Sequence, residues 1–305
     1  MFVNRSRVAV FRIPAMLHPM PTDAQGLWCG LIDDAAMFPP GNAPLPQAIT
    51  AHHDHQRATY APLVGPLLCS DRNLRELGES VAEPLQVGLI VTGGAGAIGP
   101  AVQHASSNEY VDVVAVEIAL RDEDDLARNA ERIVRMLEIE LPDGAYAAVE
   151  VPRTYDRQPT GSWWEALDVI AAAEHRLKLR TGGEHPDAHP SEQELARFID
   201  AALDRECAFK LTAGLHHAVR NTDAEHGYEQ HGFCNVLLAT RALFDGATTE
   251  DAEQLLAVRD ADQVAAELRG WDDSAATSAR RWFTSLGSCS IAEPVADLTE
   301  MELIA

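Results

Sequence analysis

Short apolar runs ending in small-residue turns alternate with amphipathic segments along most of this chain, and that alternation constrains the fold more than any other feature. Residues 85–91 (LQVGLIV) run into TGGAGAIGP, residues 111–118 precede a stripe of Leu126, Ile133, Val134 and Leu137, and residues 145–151 precede a helix expected over 163–173. Apolar runs of this length mark strands covered on both faces, as parallel sheets require. Further strands are expected at 27–33, at 60–66, around Lys178, around Lys210 and at 282–286. Helices are expected at 46–57, after a cap at Ser70 or Asp71, after Pro190, and at 294–303. Ser191 and Glu194 have capping-box spacing before the stripe of Leu195, Phe198, Ile199, Ala202 and Leu203. Eight strands alternating with helices predict a single (β/α)8 TIM barrel over residues 27–305. Residues 1–26 form an N-terminal extension, and a helical insertion occupies about 218–281, between strands seven and eight. A doubly wound open sheet is the other arrangement these elements allow.

Two residues stand out against that frame. Of the 24 lysines and arginines only two are lysine, Lys178 and Lys210, and each lies inside an apolar run that ends in a Thr/Ala/Gly turn. Surface cation duty belongs to arginine here, so lysines at equivalent places on neighbouring strands call for another use. An ammonium in an apolar pocket near a second cation is destabilised, which frees an amine to act as a nucleophile. Arginine cannot do this.

Composition excludes several classes of function. A net charge of −23 argues against nucleic acid and anionic membrane surfaces, and no apolar run approaches the length of a membrane helix. Five cysteines (Cys29, Cys69, Cys207, Cys234 and Cys289), odd in number and without a CxxC pair, suit a reducing cytoplasm. No GxGxxG or Walker pattern follows a strand, so no nucleotide cofactor is expected.

With the strands so placed, the chain resembles the deoxyribose-phosphate aldolases, class I Schiff-base aldolases on a (β/α)8 barrel. Leu31-Ile32-Asp33 with its Pro-containing loop resembles the family's opening strand, and Val111-Asp112-Val113-Val114 the strand carrying its proton-relay aspartate. Lys178 with Thr181 and Gly182 is similar to the Schiff-base motif, and Lys210 with Gly214 to the second-lysine motif. Gly287-Ser288-Cys289-Ser290 resembles the loop that cradles the substrate phosphate, and a cationic phosphate contact of the family would fall at His216. The resemblance implies a carbon–carbon lyase acting on a small carbonyl substrate, an anionic one included. Lys178 would be the nucleophile, Lys210 would lower its pKa, Asp112 would move protons, and Asp33 and Glu150 would orient the site.

Two other readings compete. His216 and His217, with His231 nearby among acidic residues, could hold a divalent metal for a lyase or hydrolase. The barrel could equally be non-catalytic and act through partners, its lysines filling the mouth as ion pairs with Asp112 and Glu150. His52, His53 and His55 read as a solvated helix face, the glycine loops at Thr92 and Thr181 as anion-binding candidates, and homo-oligomerisation is left open.

Overall fold

A computed structural model describes residues 24–121 and 124–304, so almost all of the expected extension lies outside the described residues. The chain runs β1 (Ile32–Asp34), α1 (Leu45–Arg57), β2 (Val64–Ser70), α2 (Leu74–Ser80), β3 (Leu85–Val91), α3 (Ile98–Ala105), β4 (Val111–Ala119) and α4 (Leu126–Glu140). It continues through β5 (Tyr146–Glu150), α5 (Gly161–Ala172), β6 (Arg176–Arg180), α6 (Glu192–Leu203) and β7 (Phe209–Thr212). A hairpin of β8 (Asn221–Thr222) and β9 (Glu229–Gln230) follows, then α7 (Phe233–Phe244), α8 (Thr249–Ala257), α9 (Ala261–Arg269), α10 (Asp273–Trp282), β10 (Phe283–Ser288) and α11 (Ala292–Glu300). Eight parallel strands close in the order β1-β10-β7-β6-β5-β4-β3-β2, with helices between them: a (β/α)8 barrel.

Strand β6 shows how the sequence builds the wall. In RLKLR, Leu177 and Leu179 are buried in the main hydrophobic cluster, while the alternate residues Arg176, Lys178 and Arg180 share the other face. At the N-terminal end of the barrel, the Arg176 guanidinium lies 3.5 Å from the centre of the Tyr146 ring. Helix α4 buries Leu126, Ile133, Val134 and Leu137, the expected stripe, together with Asn129 and Ala130.

Several local expectations change. The first strand starts at Ile32, because Leu31 N–H bonds to Trp28 O and Gly30 N–H to Pro62 O, which makes residues 28–31 a turn. The second strand runs on to Ser70, which places Cys69 inside it. Ser191 caps α6 through the Glu194 N–H, but the Glu194 carboxylate bonds to Arg153 and to the Thr154 and Tyr155 N–H groups, so the box is half formed. The insertion contains the β8–β9 hairpin as well as helices, its strands too short to show as an apolar period. His52 is fully buried with Nδ1 2.9 Å from Asp34 Oδ2, so the HHDH segment is not a uniformly solvated face. Among the described residues, no helix is long and apolar enough to cross a membrane.

Candidate active site

The barrel's own pairing brings the lysines together. Lys178 on β6 is in register with Lys210 on β7, and Glu150 on β5 with Lys178. Both ammoniums are buried and both reach Glu117 of β4: Lys178 Nζ lies 2.7 Å from Oε2, and Lys210 Nζ meets Oε1. Lys178 also stands 3.0 Å from Glu150 Oε2, and the other oxygen of Glu150 is 3.2 Å from Arg180 Nε. On the far side Lys210 donates to Asp33 Oδ2 at 2.5 Å, and the same oxygen accepts from Ser285 Oγ at 2.8 Å. The result is an alternating chain of charge, Asp33, Lys210, Glu117, Lys178, Glu150, Arg180.

The backbone is shaped for this chain. A side-chain carbon at Gly65 would fall 2.3 Å from Asp33 Oδ1, so the glycine leaves room for that carboxylate. Exposure rises toward the C-terminal mouth, from 0% at Lys210 and 4% at Lys178 to 16% at Glu150 and 48% at Arg180. Lys178 is therefore the lysine nearer to an entering molecule.

Electrostatics corrects one expectation. Burial by itself would lower Lys178, and Lys210 pushes the same way, but Glu117 and Glu150 outweigh both and hold the ammonium above the ordinary lysine value. Lys210 is raised in the same manner, against burial, by Asp33 and Glu117. Burial would raise Glu117, yet the two ammoniums bring it down to about 2. Glu150 is likewise lowered against burial by Lys178 and Arg180. Asp33 goes the other way, because its complete burial outweighs Lys210 and Ser285. In the resting site the lysines are thus charged, and a proton must leave before either can act.

Asp112 is not part of this cluster. It is exposed, the second residue of the nine-residue β4, and lies about 16 Å down the strand from Glu117. Lys210 pairs with Asp33 and Glu117 in its place. Glu117, Arg180 and Ser285 are the residues that sequence reasoning missed. A second carboxylate deep in the run VDVVAVEIA, past the exposed Asp112, and the inward period of RLKLR were the signals available.

The loop residues expected to bind substrate have other partners. Thr181 Oγ1 donates to Ala213 O at 2.6 Å, and Gly182 and Gly214 lie back to back, so that a side-chain carbon on Gly182 would meet Gly214 Cα at 2.6 Å. Gly287 and Ser288 are the last residues of β10, and Ser288 Oγ receives the Ser290 N–H that would have faced an anion. At the Thr92 loop, the Asp71 carboxylate already accepts the Thr92 N–H and hydroxyl.

The histidines separate. His216 Nδ1 is 2.8 Å from Glu293, His217 Nδ1 is 3.1 Å from Asp297, and His231 is buried between Pro190 O and Arg220. Among the described residues, no group of three or more His, Cys, Asp or Glu is arranged to hold a metal ion. No protein-family model and no curated protein matches this sequence.

Proposed function

We propose that this protein is an imine-forming carbon–carbon lyase that acts on a small aldehyde or ketone, with Lys178 as the nucleophile. The observation that carries this reading is the laterally paired lysines sharing one buried carboxylate, Glu117. A buried ion network contributes little to stability compared with well-packed apolar side chains, so its presence at a barrel centre favours a chemical use.

The resting ion pairs define the first step. When a carbonyl compound displaces water at the mouth, Lys178 passes a proton to Glu117 or Glu150, which turns two buried charges into a neutral amine and a neutral acid. The amine adds to the carbonyl, and the same acid returns the proton as the carbinolamine loses water. The iminium then takes up the electron pair released when the adjacent carbon–carbon bond breaks. Asp33, held above the ordinary carboxyl range, exchanges protons through Lys210. The lysine supplies the electron sink, so this chemistry requires no nucleotide or metal. Arg180, half exposed and bonded among the described residues to Glu150 alone, favours a substrate with an anionic substituent next to its carbonyl. Five free cysteines fit a reducing cytoplasm for this activity.

Borohydride trapping tests the reading. The protein is incubated with small aldehydes and ketones, with and without a carboxylate or phosphate, then reduced and peptide-mapped. A stable adduct on Lys178, absent in Lys178→Arg and slowed on the order of a hundredfold in Glu117→Gln, is expected. The complete pairing of both ammoniums also suits a non-catalytic barrel, and the absence of any adduct with every carbonyl would favour that reading.

A further inference from the structure

A second group of reactive side chains lies outside the lysine network, over the ends of β7 and β10. Cys289 directly follows β10, and its sulfur lies 3.6 Å from His216 Nε2 and 3.9 Å from Nδ1. His216 Nδ1 is in turn 2.8 Å from Glu293 Oε2, in the first turn of α11. Thiol, imidazole and carboxylate therefore follow one another in the order a thiol nucleophile uses. The carboxylate accepts the hydrogen bond of Nδ1–H and leaves Nε2 to face the sulfur. The two sulfur distances set it beside the ring rather than in line with Nε2, and a modest turn of the imidazole completes the bond, as is common before substrate binds.

The other cysteines differ. Burial pushes Cys69 up to about 12 and Cys207 to about 11, and raises Cys234 well above the ordinary thiol value. Cys29 precedes β1, at the N-terminal end of the barrel, where its carbonyl accepts from Arg280. Among the described residues, only Cys289 meets an imidazole nitrogen, whereas Cys207 bonds to the His175 carbonyl. The Cys289 sulfur and Glu293 raise His216 to about 9, against burial, so it can take up the thiol proton and pass it on to a leaving group. Gly41, in the loop after β1, backs the cysteine: a side-chain carbon there would lie 3.1 Å from Cys289 Cβ. Gly287, on the same strand, has Asp33 and Thr212 as register partners, so the thiol stands at the mouth above the lysines.

We infer that Cys289 is a nucleophile for acyl transfer that takes an activated acyl group such as a thioester, with His216 as its proton carrier and Glu293 as a positioning residue. The sulfur attacks the acyl carbon and the carbon–sulfur bond to the leaving thiol breaks. The Cys289 proton passes through His216 to that thiolate, so a thiol and a thioester exchange into a thiol and an acyl-cysteine. Water then attacks the acyl-cysteine while His216 takes one of its protons and hands it to the departing sulfur, and a carboxylic acid leaves.

The test uses the full chain and phenyl thioacetate at neutral pH, with peptide mapping by mass spectrometry over time. One acetyl group is expected on Cys289, appearing at least about tenfold faster than on Cys29 of the same molecule. His216→Ala should slow it on the order of a hundredfold, and Glu293→Gln by a smaller factor. Glu293 is half exposed, so Glu293→Gln keeps the test usable if His216→Ala fails to fold. Acetylation of Cys289 no faster than of Cys29, or a rate that His216→Ala or Glu293→Gln leaves unchanged, overturns the inference. Neither result depends on imine formation, so this inference and the lyase reading can fail separately.

Discussion

Glu117 gives one carboxylate oxygen to each lysine, so its loss takes a counter-charge from two buried cations instead of one. Glu117→Gln should lower stability by about 3–5 kcal/mol, measured from urea unfolding, because the ammoniums keep their desolvation cost and lose their shared counter-charge. The pH dependence has a definite sign. Glu117 falls from an ordinary 4.5 to about 2 in the folded chain, so its contribution is complete above about pH 5 and disappears as pH falls toward 2. The urea midpoint of the native protein should therefore drop more steeply between pH 5 and pH 3 than that of Glu117→Gln, and equal slopes would count against the assignment. The lysine pair was legible because arginine does the ordinary cationic work in this chain. The carboxylate that the lysines share was not, because the length of β4 decides whether Asp112 or Glu117 reaches the lysines, and β4 shifts register against β3 just past Val113.

Among the elements, the β8–β9 hairpin is followed by a buried imidazole that ties it to α6, beside the ion pairs of Glu229 with Arg220 and Arg259. His231 Nε2 is 2.9 Å from Pro190 O and its Nδ1 3.1 Å from Arg220, which also pairs with Glu192 at 2.7 Å, so the hairpin is tied to the entry of α6. Burial first, and then Arg220, lowers His231 to about 3. A base depressed in the folded state is neutral there while the opened state binds a proton, so the tie weakens as pH falls below about 6.5. Hydrogen exchange of amides 221–230, corrected for its intrinsic rate, should accelerate from pH 7 to pH 5 in the native chain and respond less in His231→Gln. Helix α8 starts with a full reciprocal cap between Thr248 and Asp251, and Thr248→Ala should cost about 1 kcal/mol in thermal unfolding. Helix boundaries such as these were readable from capping residues and apolar stripes. Two-residue strands, and the turn at residues 28–31, hold their shape through a few individual backbone hydrogen bonds and are too short to leave a periodic trace.

For the whole molecule, alternation of buried runs with amphipathic helices was enough to give the closed barrel, because eight parallel strands covered on the outside by helices have few other ways to bury both faces. The interior was less legible, since which charged residues meet across the axis follows from strand register and barrel closure. A net charge of −23 repels itself once the chain is compact, so the melting temperature should rise as sodium chloride is increased from about 10 to 150 mM. A flat response would mean that local ion pairs offset that repulsion.

Both lysines lie within the barrel, their side chains at 4% and 0% exposure. To any bulky reagent or conjugating enzyme that targets lysine side chains, the folded chain offers no handle. Ubiquitin attachment, cross-linking and dye labelling at lysine all have to wait for the strands to part. The rate at which such a dye labels Lys210 therefore counts openings of the entire barrel, which makes the residue a built-in clock for unfolding.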